Sequence, residues 1–181
     1  MHHLEPSPED APRSAEQRFR VAVTEMQASS VLKRIAPGSP NSTATECIFC
    51  RIRDRSAPSE IVYEDPKYFA FLDAYPFSRG HTLVCPQEHG ETIWDMEEAD
   101  IAGLFQVASR ISKAVVAAVG GDGFRFVQNN GEAARQVVAH VHVHIIPVKM
   151  EDREKFAGRT RISPEEMQVT AQAIRTKLGH S

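Results

Sequence analysis

Three features of the 181-residue sequence predict an α+β fold, an antiparallel five-stranded sheet covered by one long helix. Short runs rich in β-branched and aromatic residues follow one another between turn residues, as they do in an antiparallel meander. One long segment keeps its apolar residues at helical spacing. A second, shorter helical segment near the C-terminal end carries an explicit start signal.

The first three strands are expected in "EIVYED" (60–65), "YFAFLD" (68–73) and "HTLVCP" (81–86), with "YPFSRG" turning the chain between the last two. Asp95 followed by Glu98 fits a capping box, after which Ile101, Leu104, Phe105, Ala108, Ile111, Val115 and Val119 keep helical spacing. Gly120 and Gly121 should end that helix. "GFRFVQN" (123–129) and "VVAHVHVHIIPV" (137–148) supply two more strands, separated by the loop "NGEAARQ". A C-terminal helix over about 164–178 is expected from Ser163 as cap, Pro164 in the first turn and Glu166 reaching back. Met167, Ala171, Ile174 and Leu178 form its apolar stripe.

Three segments follow from this pattern. Residues 1–45 read as an extension with a weakly amphipathic stretch around Phe19 to Ile35, ending in the linker "APGSPNSTATE". Residues 46–150 form the domain, and 151–181 a tail that carries the last helix.

Composition excludes several classes of function. A formal net charge of -3 provides no basic field to hold a polynucleotide, so nucleic acid is not an expected partner. No apolar run approaches the roughly 20 residues that span a bilayer, and no membrane association is expected. The N-terminal stretch lacks a basic segment followed by an apolar one, and Glu5, Glu9, Asp10 and Glu16 argue against a transit peptide. Cytoplasm or nucleus is the expected location. Three cysteines, Cys47, Cys50 and Cys85, are an odd and small number, so reduced thiols or metal ligands are expected instead of a disulfide framework.

"HVHVH" (140–144) places three of the eight histidines within five positions. In a strand, alternate residues share a face, so His140, His142 and His144 should line one side and Val141, Val143 and Ile145 the other. An imidazole titrates near neutrality and can be nucleophile, acid or base at one pH.

These residues resemble the histidine triad family of nucleotide hydrolases and transferases. The resemblance covers roughly residues 46–150, through "CIFCRI", "AFLDAYPFSRGHTLVCPQEH" and "VQNNGEAARQVVAHVHVHIIP". It is closest to the branch of small adenosine 5'-monophosphoramidases, with dinucleoside polyphosphate hydrolases as the alternative. The resemblance implies a catalytic set of His140, His142, His144 and His81, in which His142 attacks the α-phosphorus and carries the nucleotidyl group until water removes it. His144 would contact phosphate or leaving group, and His81 would join that network. Asp73 would accept the ribose hydroxyls, and Ile48, Phe49, Ile52 and Phe71 would sandwich the base. Asn129 and Gln136 would bind phosphate oxygens. The implied substrate is a purine nucleotide, adenosine favoured, and the implied assembly is a homodimer built on the long helix and an edge strand.

Two positions depart from the family pattern. Arg135 stands where many members have glycine, and Val137 where many have serine or threonine. An inward Arg135 would favour a longer polyphosphate, whereas an outward one would be a solvated loop charge.

"CIFC" is both a metal half-site and a redox motif. A linker rather than a strand precedes it, which favours metal. By resemblance to relatives with this N-terminal pair, Cys47, Cys50, His89 and His140 would hold a structural zinc, since two thiolates and two imidazoles close a tetrahedron. Nucleoside phosphoramidate hydrolysis is the expected activity. Dinucleoside polyphosphate hydrolysis and a non-catalytic nucleotide-binding or scaffold role are the alternatives.

Overall fold

A computed structural model describes residues 47–153, 158–159 and 162–179. The expected N-terminal extension and linker lie outside the described residues. The expected α+β architecture is present, as a five-stranded antiparallel sheet with helices on both faces.

The chain enters through a short helix, α1 (Ile48–Arg53), that carries the "CIFC" motif. Strands β1 (Ile61–Glu64), β2 (Tyr68–Leu72) and β3 (Thr82–Pro86) follow as a meander. The long helix α2 (Glu98–Val119), β4 (Gly123–Val127), β5 (Val143–Val148) and α3 (Pro164–Leu178) complete the domain. The strand order is β1-β2-β3-β5-β4. The meander is therefore confined to the first three strands: β5 inserts beside β3 and leaves β4 at the edge.

Period-2 alternation divides the sheet between two cores. Tyr68, Ala70, Leu72, Val84, Val143 and Ile145 face α2 and α3. Phe69, Phe71, Leu83 and Cys85 face α1 and pack with Phe49, Cys50 and Ile52. Leu104, Ala108, Ile111 and Val115, spaced by three or four residues, are fully buried against the first of these faces. Among the described residues α2 is long and apolar enough to cross a membrane by length and composition, contrary to the sequence expectation. That buried stripe accounts for its apolar character as the core helix of the domain.

The start of α2 also differs from expectation. Asp95 belongs to a short 3-10 turn (Ile93–Asp95) and closes a capping box with Thr92, whose N–H it accepts at 2.7 Å. With that carboxylate turned backwards, α2 begins at Glu98 without a side-chain cap. Its end matches expectation: Gly120 takes the left-handed conformation, φ 67°, and the N–H of Gly121 returns to the Val116 carbonyl. The α3 start matches as well, with Ser163 and Glu166 exchanging cap bonds. Ala171 and Ile174 bury α3 against the domain's own core.

The histidine-bearing strand is shorter than the expected 137–148. The His140 N–H bonds the Val138 carbonyl and the Val141 N–H the Gly90 carbonyl, so this backbone is satisfied outside the ladder and β5 starts at Val143. Alternation nevertheless survives, because Val141, Val143 and Ile145 all lie in the helix-side core.

Candidate active site and metal centre

The α1 face of the sheet carries an open cleft lined by His142 and His144. Register fixes its floor: Leu83, His144 and Val127 lie side by side across β3, β5 and β4. At one end Ile48, Phe49, Ile52 and Phe71, the residues named for the base, line an apolar wall. The Phe49 ring sits edge-on to His142, centroids 5.1 Å apart, and to Phe71, 5.2 Å apart.

Hydrogen bonds set the tautomer of each ring. His142 Nδ1–H donates to the His140 carbonyl at 2.6 Å, which leaves the lone pair on Nε2. For His81, the Phe77 N–H donates to Nδ1 at 3.2 Å, so the ring proton lies on Nε2 and is donated to His144 Nδ1 at 2.9 Å. His144 must then carry its own proton on Nε2. Two adjacent rings, centroids 4.9 Å apart, thus present opposite chemistry: an acceptor on His142 and a donor on His144. Burial, the leading cause in each case, holds His81 down to about 4 and puts His142 and His144 below the ordinary histidine range. At neutral pH all three are uncharged.

Asp73 lines the same cleft. Its Oδ1 accepts the Tyr75 N–H at 2.8 Å, the bond of a turn-initiating aspartate, so it closes the turn as well as facing the cleft. Oδ2 lies 3.2 Å from Arg159 Nη1 and 3.4 Å from His81 Nδ1. Gly80 delivers His81: it adopts φ 85°, and a Cβ there would stand 2.7 Å from Val119 Cγ1.

Two expectations need correction. Gln136 does not line the cleft. Its Oε1 accepts the Gly131 N–H at 2.6 Å and its Nε2 donates to the Glu91 carbonyl, so its amide braces the loop beside Asn129, which does line the cleft. The His140 ring, expected both in the catalytic set and as a zinc ligand, is fully buried away from the cleft, and its carbonyl rather than its ring bonds His142. His81, expected to join the histidine network, is buried and bonds His144 from behind. Arg135 resolves toward the cleft, which it and Val137 line, and it holds a left-handed φ of 66°. Arg159 was missed by the sequence reading: it lies in the tail, where no spacing or motif singles it out.

The His140 ring joins Cys47, Cys50 and His89 in a cluster of four potential ligands. Its Nδ1 lies 3.4 Å from Cys47 Sγ, 3.6 Å from Cys50 Sγ and 3.4 Å from His89 Nδ1, and Cys50 Sγ lies 3.5 Å from His89 Nδ1. Tetrahedral zinc with ordinary Zn–S and Zn–N bonds would separate its ligand atoms by roughly 3.3 to 3.8 Å. The donors present fit such an ion. His140 Nε2–H donates to the Pro86 carbonyl at 3.0 Å, which fixes the lone pair on Nδ1 facing the cysteines. Burial, followed by the neighbouring Cys47, pushes the Cys50 thiol up to about 12.

Comparison with known proteins agrees with this geometry. Residues 54–151 match the HIT domain model. The chain is 35% identical over 134 residues to the adenosine 5'-monophosphoramidase of Schizosaccharomyces pombe, covering 73% of this chain and 98% of that one. It is 39% identical over 107 residues to an adenylylsulfatase of Arabidopsis thaliana, 59% of this chain but only 54% of that protein's length. A crystal structure of a Zn-bound histidine triad family protein from Mycobacterium smegmatis superposes with a TM-score of 0.69 at 33% identity, covering 76% of this chain and 96% of that one. With the HIT domain model matching more than half of the chain, and His142 and His144 lining one cleft, the chain belongs to the histidine triad (HIT) family.

Proposed function

We propose that this chain hydrolyses nucleoside phosphoramidates, those of adenosine foremost, through a nucleotidyl group carried on His142. The observation that carries this reading is the pairing of opposite tautomers on His142 and His144 at one cleft. His142 Nε2 attacks the α-phosphorus with its lone pair, and the phosphorus–nitrogen bond to the leaving amine breaks. His144 Nε2–H donates a hydrogen bond to a phosphate oxygen, and the departing nitrogen takes a proton from solvent and leaves as the free amine. Water then attacks the same phosphorus and returns a proton to solvent, and the bond to His142 breaks, leaving both rings in their starting states and releasing the nucleoside monophosphate. Ile48, Phe49, Ile52 and Phe71 take the base, Asp73 the ribose hydroxyls through its remaining lone pairs, and Asn129 a phosphate oxygen. Similarity to the yeast monophosphoramidase supports this choice of substrate.

A second reading, dinucleoside polyphosphate hydrolysis, is favoured by Arg135 at the cleft, where a cation would meet additional phosphates. Turnover of adenosine phosphoramidate measured beside diadenosine tri- and tetraphosphate separates the two. Equal or faster turnover of the dinucleotides would favour the second, and no turnover of any of them would favour a binding role.

Zinc held by Cys47, Cys50, His89 and His140 would be structural, with no ligand position left open to substrate. The chain would act as a homodimer. Phe124 and Phe126 on the edge strand β4 and Phe105 on α2 form an exposed aromatic cluster on the side away from the cleft. Cytoplasm or nucleus remains the location proposed for a protein with three free cysteines.

A further inference from the structure

Arg159 comes from the tail, beyond the residues 54–151 that match the domain model, yet it is anchored inside the cleft. Among the described residues its guanidinium makes three contacts, all on one turn. Nη1 donates to Asp73 Oδ2 at 3.2 Å and to the Tyr75 carbonyl, and the group lies 4.8 Å over the Phe77 ring. The other side of this turn faces His81. Asp73 Oδ2 is 3.4 Å from His81 Nδ1, the Phe77 N–H donates to the same nitrogen, and the Phe77 ring stacks on the imidazole at 5.6 Å.

Two groups therefore compete for His81 Nδ1. The Phe77 N–H requires a lone pair there, and the Asp73 carboxylate favours a proton there. If the carboxylate prevails, His81 donates from Nδ1 and its Nε2 becomes an acceptor. His144 must then move its proton to Nδ1, and its Nε2 presents a bare lone pair to phosphate. The cleft loses its donor without losing a single side chain. A guanidinium on Oδ2 offsets the carboxylate's pull, and its contacts to Tyr75 and Phe77 hold the Phe77 N–H on target.

We propose that Arg159 is a positioning residue that selects the His81 tautomer and thereby keeps a proton on His144 Nε2. This deepens the hydrolase reading and rests on it for its kinetic consequence, but the tautomer itself can be observed without turnover.

Ring ¹⁵N NMR of His81 in the full chain is the test, with Arg159→Met, Arg159→Lys and the double variant Arg159→Met/Asp73→Asn. The wild type and Arg159→Lys should show a protonated Nε2. Arg159→Met should show a protonated Nδ1, and removing the carboxylate in the double variant should restore Nε2–H. With adenosine phosphoramidate, kcat should fall about 10²-fold in Arg159→Met, the scale of losing one positioned donor, with KM within about threefold and substantial rescue by lysine. An unchanged His81 tautomer in Arg159→Met would overturn the proposal. A lowered KM at unchanged kcat would overturn it too, since Arg159 would then merely obstruct the ribose acceptor. Should Arg159→Met not fold, a protonated Nδ1 in Arg159→Lys would contradict the proposal and a protonated Nε2 would support it. A tautomer switch in a protein that turns over no nucleotide would sink the hydrolase reading and leave this one standing.

Discussion

The carbonyl of His140 accepts the Nδ1 proton of His142 across 2.6 Å, while the ring of His140 lies among Cys47, Cys50 and His89. One residue thus belongs to two sites. Its side chain faces the candidate metal centre, and its backbone aims the candidate nucleophile. Holding that ring in place also holds the carbonyl that fixes which nitrogen of His142 is bare.

Protein purified without added metal should contain about one zinc per chain, and Cys50→Ser should lower that content. Stripping the metal should reduce both thermal stability and turnover, because α1 and the His140 backbone would lose their common anchor. Elemental analysis giving a stoichiometry near zero would end the zinc proposal.

Stability should fall on acidification, in a window set by His81. Its ring ordinarily titrates near 6.5 and burial holds it to about 4 in the folded chain. Between those values the unfolded chain binds a proton that the folded chain refuses, so stability is fully present above about pH 6.5 and is lost as pH drops toward 4. The loss attributable to this ring is on the order of 3 kcal/mol. Denaturant titrations at pH 7 and pH 4 should show a correspondingly smaller acid loss in His81→Asn; an identical loss in both proteins would refute the assignment.

Arg135 holds φ 66° without the freedom of glycine. Arg135→Gly should therefore leave the protein as stable or more so, by up to about 1 kcal/mol. If its side chain serves an extended phosphate chain, the same variant should raise KM for diadenosine tetraphosphate and leave KM for adenosine phosphoramidate unchanged. Parallel KM changes for both substrates would remove Arg135 from the specificity account.

Phe124→Glu should yield monomers by light scattering while the wild type runs as a dimer. Phe124 lies on the face of β4 opposite Arg125, which lines the cleft, so its substitution leaves the cleft side chains in place. A monomeric wild type, or a Phe124→Glu dimer of undiminished affinity, would contradict the aromatic interface.

Much of this was legible in sequence, since spacing alone determines it. Alternation in 140–145 separates histidines from core valines, and glycines at 120–121 end α2. Residues whose roles depend on three-dimensional competition were not legible. Thr92 captures Asp95 before it can cap α2, and Gln136 spends its amide on Gly131 and Glu91. The His140 ring turns to the cysteines, a placement that the resemblance implied and that alternation alone would not give. Arg159 reaches Asp73 across 86 positions of sequence, and nothing local to it records that contact. The short helix α1 was hidden because a six-residue segment has too few turns to show a period.

The nucleotidyl group on His142 can be sought by mass spectrometry of protein mixed with adenosine phosphoramidate and quenched within the first turnover. One adenylyl group is expected on the peptide containing His142, and none in His142→Ala, which should also lose turnover. An adduct on any other residue, or full turnover by His142→Ala, would contradict this role for His142.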